Sequence, residues 1–249
     1  MKNRKPIHTA YCRYDGDFPS SSNMDSAIIG LNDIGMKIVP FYGFGDIETD
    51  VNCGPEALVS GYIGDIKTAI HKLGLPQPEP LDYPDELKPF YGRNIWKGTL
   101  DDTRKWPLSR GPVFVKPVEQ KLFTGFVWHG TGKNRLTVAT IDDDTSVFMS
   151  EVVEFIAEFR CYILDGKILD VKRYKGSYSV GPAQNIVEGA VAAFKGPRAF
   201  AIDFGVTADG KTLVVEVNDG FALGNYGLHA IGYARMLEAR WEELTEPLL

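Results

Sequence analysis

The chain has 249 residues, 44% of them hydrophobic and 24% charged, with a formal net charge of −6. That balance describes a folded globular chain long enough for two modest lobes sharing a cleft, and it excludes a disordered one. A pI near 5.3 gives no basic footprint for duplex nucleic acid.

The first residues, Met1-Lys-Asn-Arg-Lys-Pro6, are basic but lead into no apolar signal core, and no later run reaches membrane-spanning length. Strand-like and helix-like pieces then alternate: a strand over 7–12, a helix over 23–34 and a strand over 36–41, which is an α/β pattern. Residues 57–60 read as a short strand, and 63–73 as an amphipathic helix stopped by Gly74 and Pro76. A proline-rich linker over 76–84 and a short helix over 85–91 close this part. The spacing predicts a small α/β domain over 1–91 and a second domain over 92–249.

The second part is richer in strands, expected over 113–117, 123–128 and 147–155. A hairpin over 158–174 turns at Asp165-Gly166, and another over 201–218 turns at Asp209-Gly210. Helices over 183–194 and 226–244 flank the last hairpin. A mostly antiparallel sheet backed by helices, an α+β arrangement, follows. Cys12, Cys53 and Cys161 are odd in number and in no CxxC pattern, which argues against disulfides and zinc and for a reducing, cytoplasmic setting.

The last hairpin carries the strongest chemical signal. A two-residue loop at Asp209-Gly210 puts Asp203 opposite Glu216, with Asn218 on the same face and Val215 and Val217 turned into a core. Like charges directly opposite one another weaken a hairpin, and a divalent cation reverses that penalty. Two carboxylates and an amide oxygen suit Mg²⁺, which prefers hard oxygen ligands and shares them with nucleotide phosphates. The alternative is a solvated acidic face.

Elsewhere, Lys116 ends the apolar run Val113-Phe-Val-Lys-Pro117 before a loop over 119–125. Gly130-Thr-Gly-Lys133 fails the phosphate-loop pattern, because Asn134 follows the lysine, and it reads as a turn. No histidine has a ligand partner in the sequence. The segment 149–160 is apolar yet keeps Glu151, Glu154 and Glu158, and buried acids need partners. A two-residue turn at Asp165-Gly166 sets Arg173 opposite Glu158, with Arg160 on the same face and Lys172 on the other.

In this order, Lys116, the 119–125 loop, the strand starting at Ser150, Glu158-Phe-Arg160, Lys172-Arg173, and then Asp203, Glu216 and Asn218 resemble the ATP-grasp superfamily. The resemblance spans residues from about Arg93 to the carboxyl end. It implies a fold in which two α+β lobes sandwich ATP. It also implies that Lys116 contacts the phosphates and the 119–125 loop closes over them. Main-chain groups of Glu151, Val152 and Val153 would hold adenine, and Glu158 the ribose. Asp203, Glu216 and Asn218 would coordinate Mg²⁺. Where many such ligases carry an arginine two residues before the metal-binding aspartate, this chain has Ala201. It therefore looks like the clade defined by an arginine-to-lysine relocation, with Lys172 or Arg173 as the substitute. Hairpin parity favours Arg173, and the clade's name favours a lysine.

The resemblance implies an ATP- and Mg²⁺-dependent carboxylate–amine ligase. An acyl phosphate would be held by Arg160, Lys172 or Arg173, and the partners would be a small-molecule or peptide carboxylate and an amine. The glycine-rich stretch 218–226 would line the acceptor pocket. A kinase on the same scaffold and an ATP-binding regulatory module are the alternatives. Oligomeric state is open, a homodimer included.

Overall fold

A computed structural model describes residues 7–248. The basic start Met1 to Pro6 and the final Leu249 lie outside them, as do the matching ends of the two expected domains.

The amino-terminal part is built on β1 (Thr9–Asp15), which pairs in parallel with both β3 (Lys37–Phe41) and β4 (Ala57–Ser60), while the short β2 (Phe18–Pro19) folds back on its tip. Every residue of β4 is buried, as expected of a parallel strand covered on both faces. Helix α1 (Ser22–Asp33) starts at Ser21, whose hydroxyl accepts a hydrogen bond from the Met24 amide. Helices α2 (Phe44–Thr49) and α3 (Ile63–Lys72) complete the layer.

After a linker and the single turn of α4 (Lys88–Tyr91) comes an antiparallel sheet ordered β5-β8-β6-β7. Its strands are β5 (Ile95–Thr99), β6 (Val113–Pro117), β7 (Phe126–Trp128) and β8 (Ser146–Ser150), joined by α5 (Leu100–Arg104) and α6 (Gly132–Thr137). The stretch read as a turn at Gly130 to Lys133 is the entry to α6, capped by Thr131. The strand expected over 147–155 stops at Ser150, and Glu151 and Glu154 are exposed rather than buried.

A second antiparallel sheet, ordered β10-β9-β11-β12, follows with β9 (Ala157–Leu164), β10 (Lys167–Gly176), β11 (Ala199–Val206) and β12 (Thr212–Asp219). Helix α7 (Gln184–Ala193) covers one face, where Val187 and Ala190 pack on Cys161, Ile163, Ile202 and Val217. Helix α8 (Ala230–Thr245) packs against α1, and its Tyr233, Met236 and Trp241 share one core with β1, β3 and β4. The backbones of α1 and α8 meet at Gly30, where any side chain would collide with the Ala230 carbonyl.

Cys12, Cys53 and Cys161 are buried and free. No helix among the described residues is long and apolar enough to cross a membrane.

Candidate active site

One row of directly paired residues crosses the second sheet: Lys172 on β10, Arg160 on β9, Asp203 on β11 and Glu216 on β12. Residues paired across adjacent strands point to the same face, so all four project from one side. Asn218 projects beside them, its amide nitrogen 3.2 Å from Asp203 Oδ2 and 3.3 Å from Glu216 Oε1.

Two β-bulges make that row, and both overturn details expected from hairpin parity. In β10 the extra residue Leu169 shifts the register, so Lys172 rather than Arg173 shares a face with Arg160. Arg173 lies opposite Phe159 on the reverse face, exposed, and donates to the Gly176 carbonyl at 2.7 Å. A second extra residue, Tyr174, puts Lys175 rather than Arg173 opposite Glu158. In the acidic hairpin the loop is longer than two residues: the Gly210 amide bonds the Thr207 carbonyl at 2.9 Å, and Gly210 takes φ +80°. A bulge at Val215 then restores the expected Asp203–Glu216 pairing. The two departures cancel at the site but not in the core, where Val214 joins Val217 while Val215 stays half-exposed. Arg93 braces the bulge by donating to the Val214 and Val215 carbonyls at 2.8 and 2.9 Å.

Lys116 approaches from the opposite sheet. It shares a row with Phe148 on β8 and Lys97 on β5, and its ammonium bridges Asp82 and Glu216. Asp82 sits in the linker, buried, with the left-handed backbone angle φ +37° that aspartate tolerates better than most residues. Its carbonyl accepts from the Val217 amide at 2.8 Å, tying the linker to β12. Tyr83 next to it packs edge-on against Phe148.

Arg160 and Asp203 form a buried two-pronged pair, Nε to Oδ1 and a terminal nitrogen to Oδ2, both 2.7 Å. The guanidinium also lies over the Tyr226 ring at 4.9 Å, and Tyr226 stacks on Tyr174 with centroids 4.8 Å apart. Burial opposes the charge on Lys116, but Glu216, Tyr83 and Asp82 outweigh it and hold the ammonium above its ordinary range. Burial likewise works against ionised Glu216, yet Lys116 and the hydrogen bonds from Lys116 and Asn218 keep that carboxyl below its ordinary value. Asp82 is pushed up, burial exceeding the pull of Lys116.

A cavity of about 520 Å³ opens between the two sheets, lined by Asp82, Lys116, Arg160, Glu216, Asn218 and Tyr226, with Gln120 and Lys121 of the 119–125 loop above. A second cavity of about 290 Å³ adjoins it through Phe114 and Glu216 and is lined by Glu151, Val152, Val153 and Glu158. There Glu158 accepts from the Tyr174 hydroxyl at 2.8 Å and from Lys175. Phe155 covers Gly205, a position where any side chain would strike its ring.

Thus Lys116, Arg160, Glu216 and Asn218 line one cavity, Asp203 and Lys172 share the Arg160 row beside it, Glu151 to Val153 and Glu158 line its extension, and Arg173 faces the other way. Asp82, Tyr83 and Tyr174 also line or brace the site, and no sequence pattern announced them, since linker position and a bulge decide their direction. Tyr226, the end of the 218–226 stretch expected to line the acceptor pocket, lines the central cavity. Among the described residues no group of three or more His, Cys, Asp or Glu side chains forms a metal cluster. Two carboxylates and an amide nevertheless fit Mg²⁺, which ordinarily keeps waters and completes its shell with substrate phosphates.

A nucleotide-sized cleft between two α+β lobes, with cations and carboxylates facing each other inside it, defines an ATP-grasp protein. The chain belongs to the family described as ATP-grasp domain, R2K clade family 2, whose model matches residues 90–236. Among solved structures it is similar to D-alanine–D-alanine ligase from Bacillus anthracis complexed with ATP, at 18% identity and TM-score 0.57, covering 96% of this chain and 97% of that one. It is also similar to the D-cycloserine synthetase DcsG, at 12% identity and TM-score 0.61, covering 94% and 99%. A third is the ATP-grasp ligase PsnB complexed with a precursor peptide and AMPPNP, at 13% identity and TM-score 0.52, covering 97% and 99%. No curated protein matches the chain in sequence.

Proposed function

We propose that this protein is an ATP- and Mg²⁺-dependent carboxylate–amine ligase that works through an acyl phosphate. The observation that carries the reading is the Lys172–Arg160–Asp203–Glu216 row, whose Arg160 and Glu216 line one cavity together with Lys116. Family membership makes ATP the nucleotide, and the ligases among the structural relatives favour amide formation, with amino acids or peptides as substrates.

In this reading adenine enters the smaller cavity. The Glu151 amide is already given to the Asn94 carbonyl, which leaves the main chain of Val152 and Val153 for the base edge, and Glu158 meets the ribose. Lys116 takes the phosphates once it leaves Glu216 and Asp82, and the 119–125 loop closes over them. Asp203, Glu216 and Asn218 hold Mg²⁺, which when bound offsets the charge that develops on the β and γ phosphates. The substrate carboxylate oxygen attacks the γ phosphorus and ADP leaves. The amine nitrogen then attacks the acyl carbon, inorganic phosphate leaves with the carbon–oxygen electrons, and the amine proton passes to solvent. In this reading Arg160, and Lys172 paired beside it, neutralise the acyl phosphate and its transition states. Arg173, on the reverse face, is the weaker choice for the relocated cation.

Residues 1–91 form the substrate-selecting unit of this proposal and 92–249 the ATP-grasp unit. Three buried free thiols suit the cytoplasm expected from the sequence.

The test is release of ADP and phosphate with panels of acids, with and without amines. Phosphate that depends on both acid and amine supports the ligase. A stable phosphorylated product means a kinase, and nucleotide binding without turnover means a regulatory module. Glu216→Ala should abolish metal-dependent turnover while leaving the fold intact.

A further inference from the structure

A cavity of about 620 Å³ continues from the central one toward the amino-terminal part, sharing Ile63, Gln120, Lys121, Ala222, Leu223, Gly224 and Tyr226 with it. Its far wall is made by Asn23 on α1 and by Tyr62, Gly64 and Lys67 at the start of α3. The carboxyl-terminal wall is rigidly placed. The Tyr162 hydroxyl donates to the Gly224 carbonyl at 2.8 Å, Tyr233 to Leu223 at 2.8 Å, and the Asn225 amide to Asn23 Oδ1 at 2.9 Å.

The lining contains two lysines and no acid, in a protein whose net charge is −6. Lys67 is half-buried, and among the described residues its ammonium has no ion-pair partner. The nearest acid in sequence, Asp65, is sealed beneath the helix start, where its carboxylate is held by Arg13 at 2.7 Å and by the Tyr62 amide at 2.8 Å. Half-burying an unpaired ammonium is unfavourable, and a ligand anion removes the penalty. The first turns of α1 and α3 add their positive ends to the same space.

Lys67 lines this cavity but not the central one, so an anion it holds differs from the carboxylate that would be phosphorylated beside Arg160. We propose that this cavity is a subsite for a second carboxylate on the acid substrate, held by Lys67, so that the substrate is a dicarboxylic compound, an acidic amino acid or a peptide carrying one. The assignment of that anion to the acid substrate rests on the ligase reading above.

The test titrates the full chain, with and without Mg–AMPPNP, using matched probes: glutarate against valerate, adipate against hexanoate, and L-glutamate against L-norvaline. At least one dicarboxylate should bind about tenfold more tightly than its monocarboxylate partner, the size expected of one charge-assisted contact. Lys67→Met should erase that preference, whereas Lys67→Arg should keep most of it, with unchanged thermal melting showing that both variants are folded. Equal or weaker binding of the dicarboxylate in every pair, or a preference that survives Lys67→Met, overturns the proposal. The titration involves no turnover. A protein that shows the Lys67-dependent preference but releases no amine-dependent phosphate would keep the subsite and lose the ligase reading.

Discussion

Arg160 and Asp203 meet across β9 and β11 as a fork on a carboxylate, both prongs at 2.7 Å, with side chains 7% and 3% exposed. Each buried charge is compensated by the other. Removing one therefore strands a buried charge, whereas removing both together can be nearly neutral. Arg160→Ala should cost about 3–5 kcal/mol in urea denaturation, while the double change Arg160→Met with Asp203→Leu should lose much less. Equal losses in the two variants would mean that local packing, not the paired charges, sets the cost.

The contact between Lys116 and Glu216 joins the two sheets and should respond to pH. Glu216 has an ordinary value of 4.5, and in the folded protein the carboxyl is held below it. A lowered acid stabilises the fold fully above the unfolded value, and the contribution is lost as pH falls through the folded one. Thermal melts of the wild type and Glu216→Gln should therefore differ by a constant amount from pH 7 down to about 5 and converge below 4.5. A gap that instead widens on acidification would reverse the assigned sign.

Gly30 lies where α1 and α8 touch, and a Cβ there would run into the Ala230 carbonyl. Alanine ordinarily favours a helix over glycine by about 1 kcal/mol, but overpacking a tight contact costs about 1–3 kcal/mol. The steric term should win, so Gly30→Ala should lower stability and loosen the amino-terminal layer, read by denaturation and by hydrogen exchange in α1.

The positions legible in the sequence were those fixed by alternation and by turn residues. The four residues of β4 and the start of α3 at Ile63 follow from apolar periodicity. Asp203 opposite Glu216 was also foreseen, although the longer loop and the Val215 bulge reach that pairing by another route. Bulges are what the sequence conceals. Leu169 and Tyr174 carry no glycine signal, yet each reverses which side chains face the cleft, so Lys172 and Arg173 exchange places relative to parity. Asp82 was hidden for a different reason: its role depends on Lys116, 34 residues away, arriving from another sheet.

In the proposed reading, Asp82 would compete with phosphate for Lys116. Its carboxylate is buried beside the ammonium at 2.5 Å and adds negative charge to the place where phosphates would bind. Asp82→Asn keeps the main-chain bond to Val217 and removes that charge. Calorimetric titration with AMPPNP should show binding tightened about three- to tenfold, the equivalent of about 0.7–1.4 kcal/mol. Weaker binding would instead identify Asp82 as the group that holds Lys116 in position.

The register across β9 and β10 sets the last prediction, which separates two adjacent cations by face alone. Lys172 stands beside Arg160, 33% exposed, its ammonium resting on Asp170 at 2.7 Å. That ion pair lies along the same strand and is half-open to water, so a phosphate bound at Arg160 could draw the lysine across at small cost. Arg173 sits on the reverse face and spends its guanidinium on Gly176. Removing one donor that stabilises charge developing in a transition state costs about 10²–10³ in kcat, while removing an exposed cation elsewhere costs almost nothing. Lys172→Ala should therefore lower acid- and amine-dependent phosphate release about a hundredfold with AMPPNP binding retained, and Arg173→Ala should stay within about twofold of wild type. The opposite ranking would show that the working enzyme uses the register without the Leu169 bulge, and that β10 shifts by one residue when substrate binds.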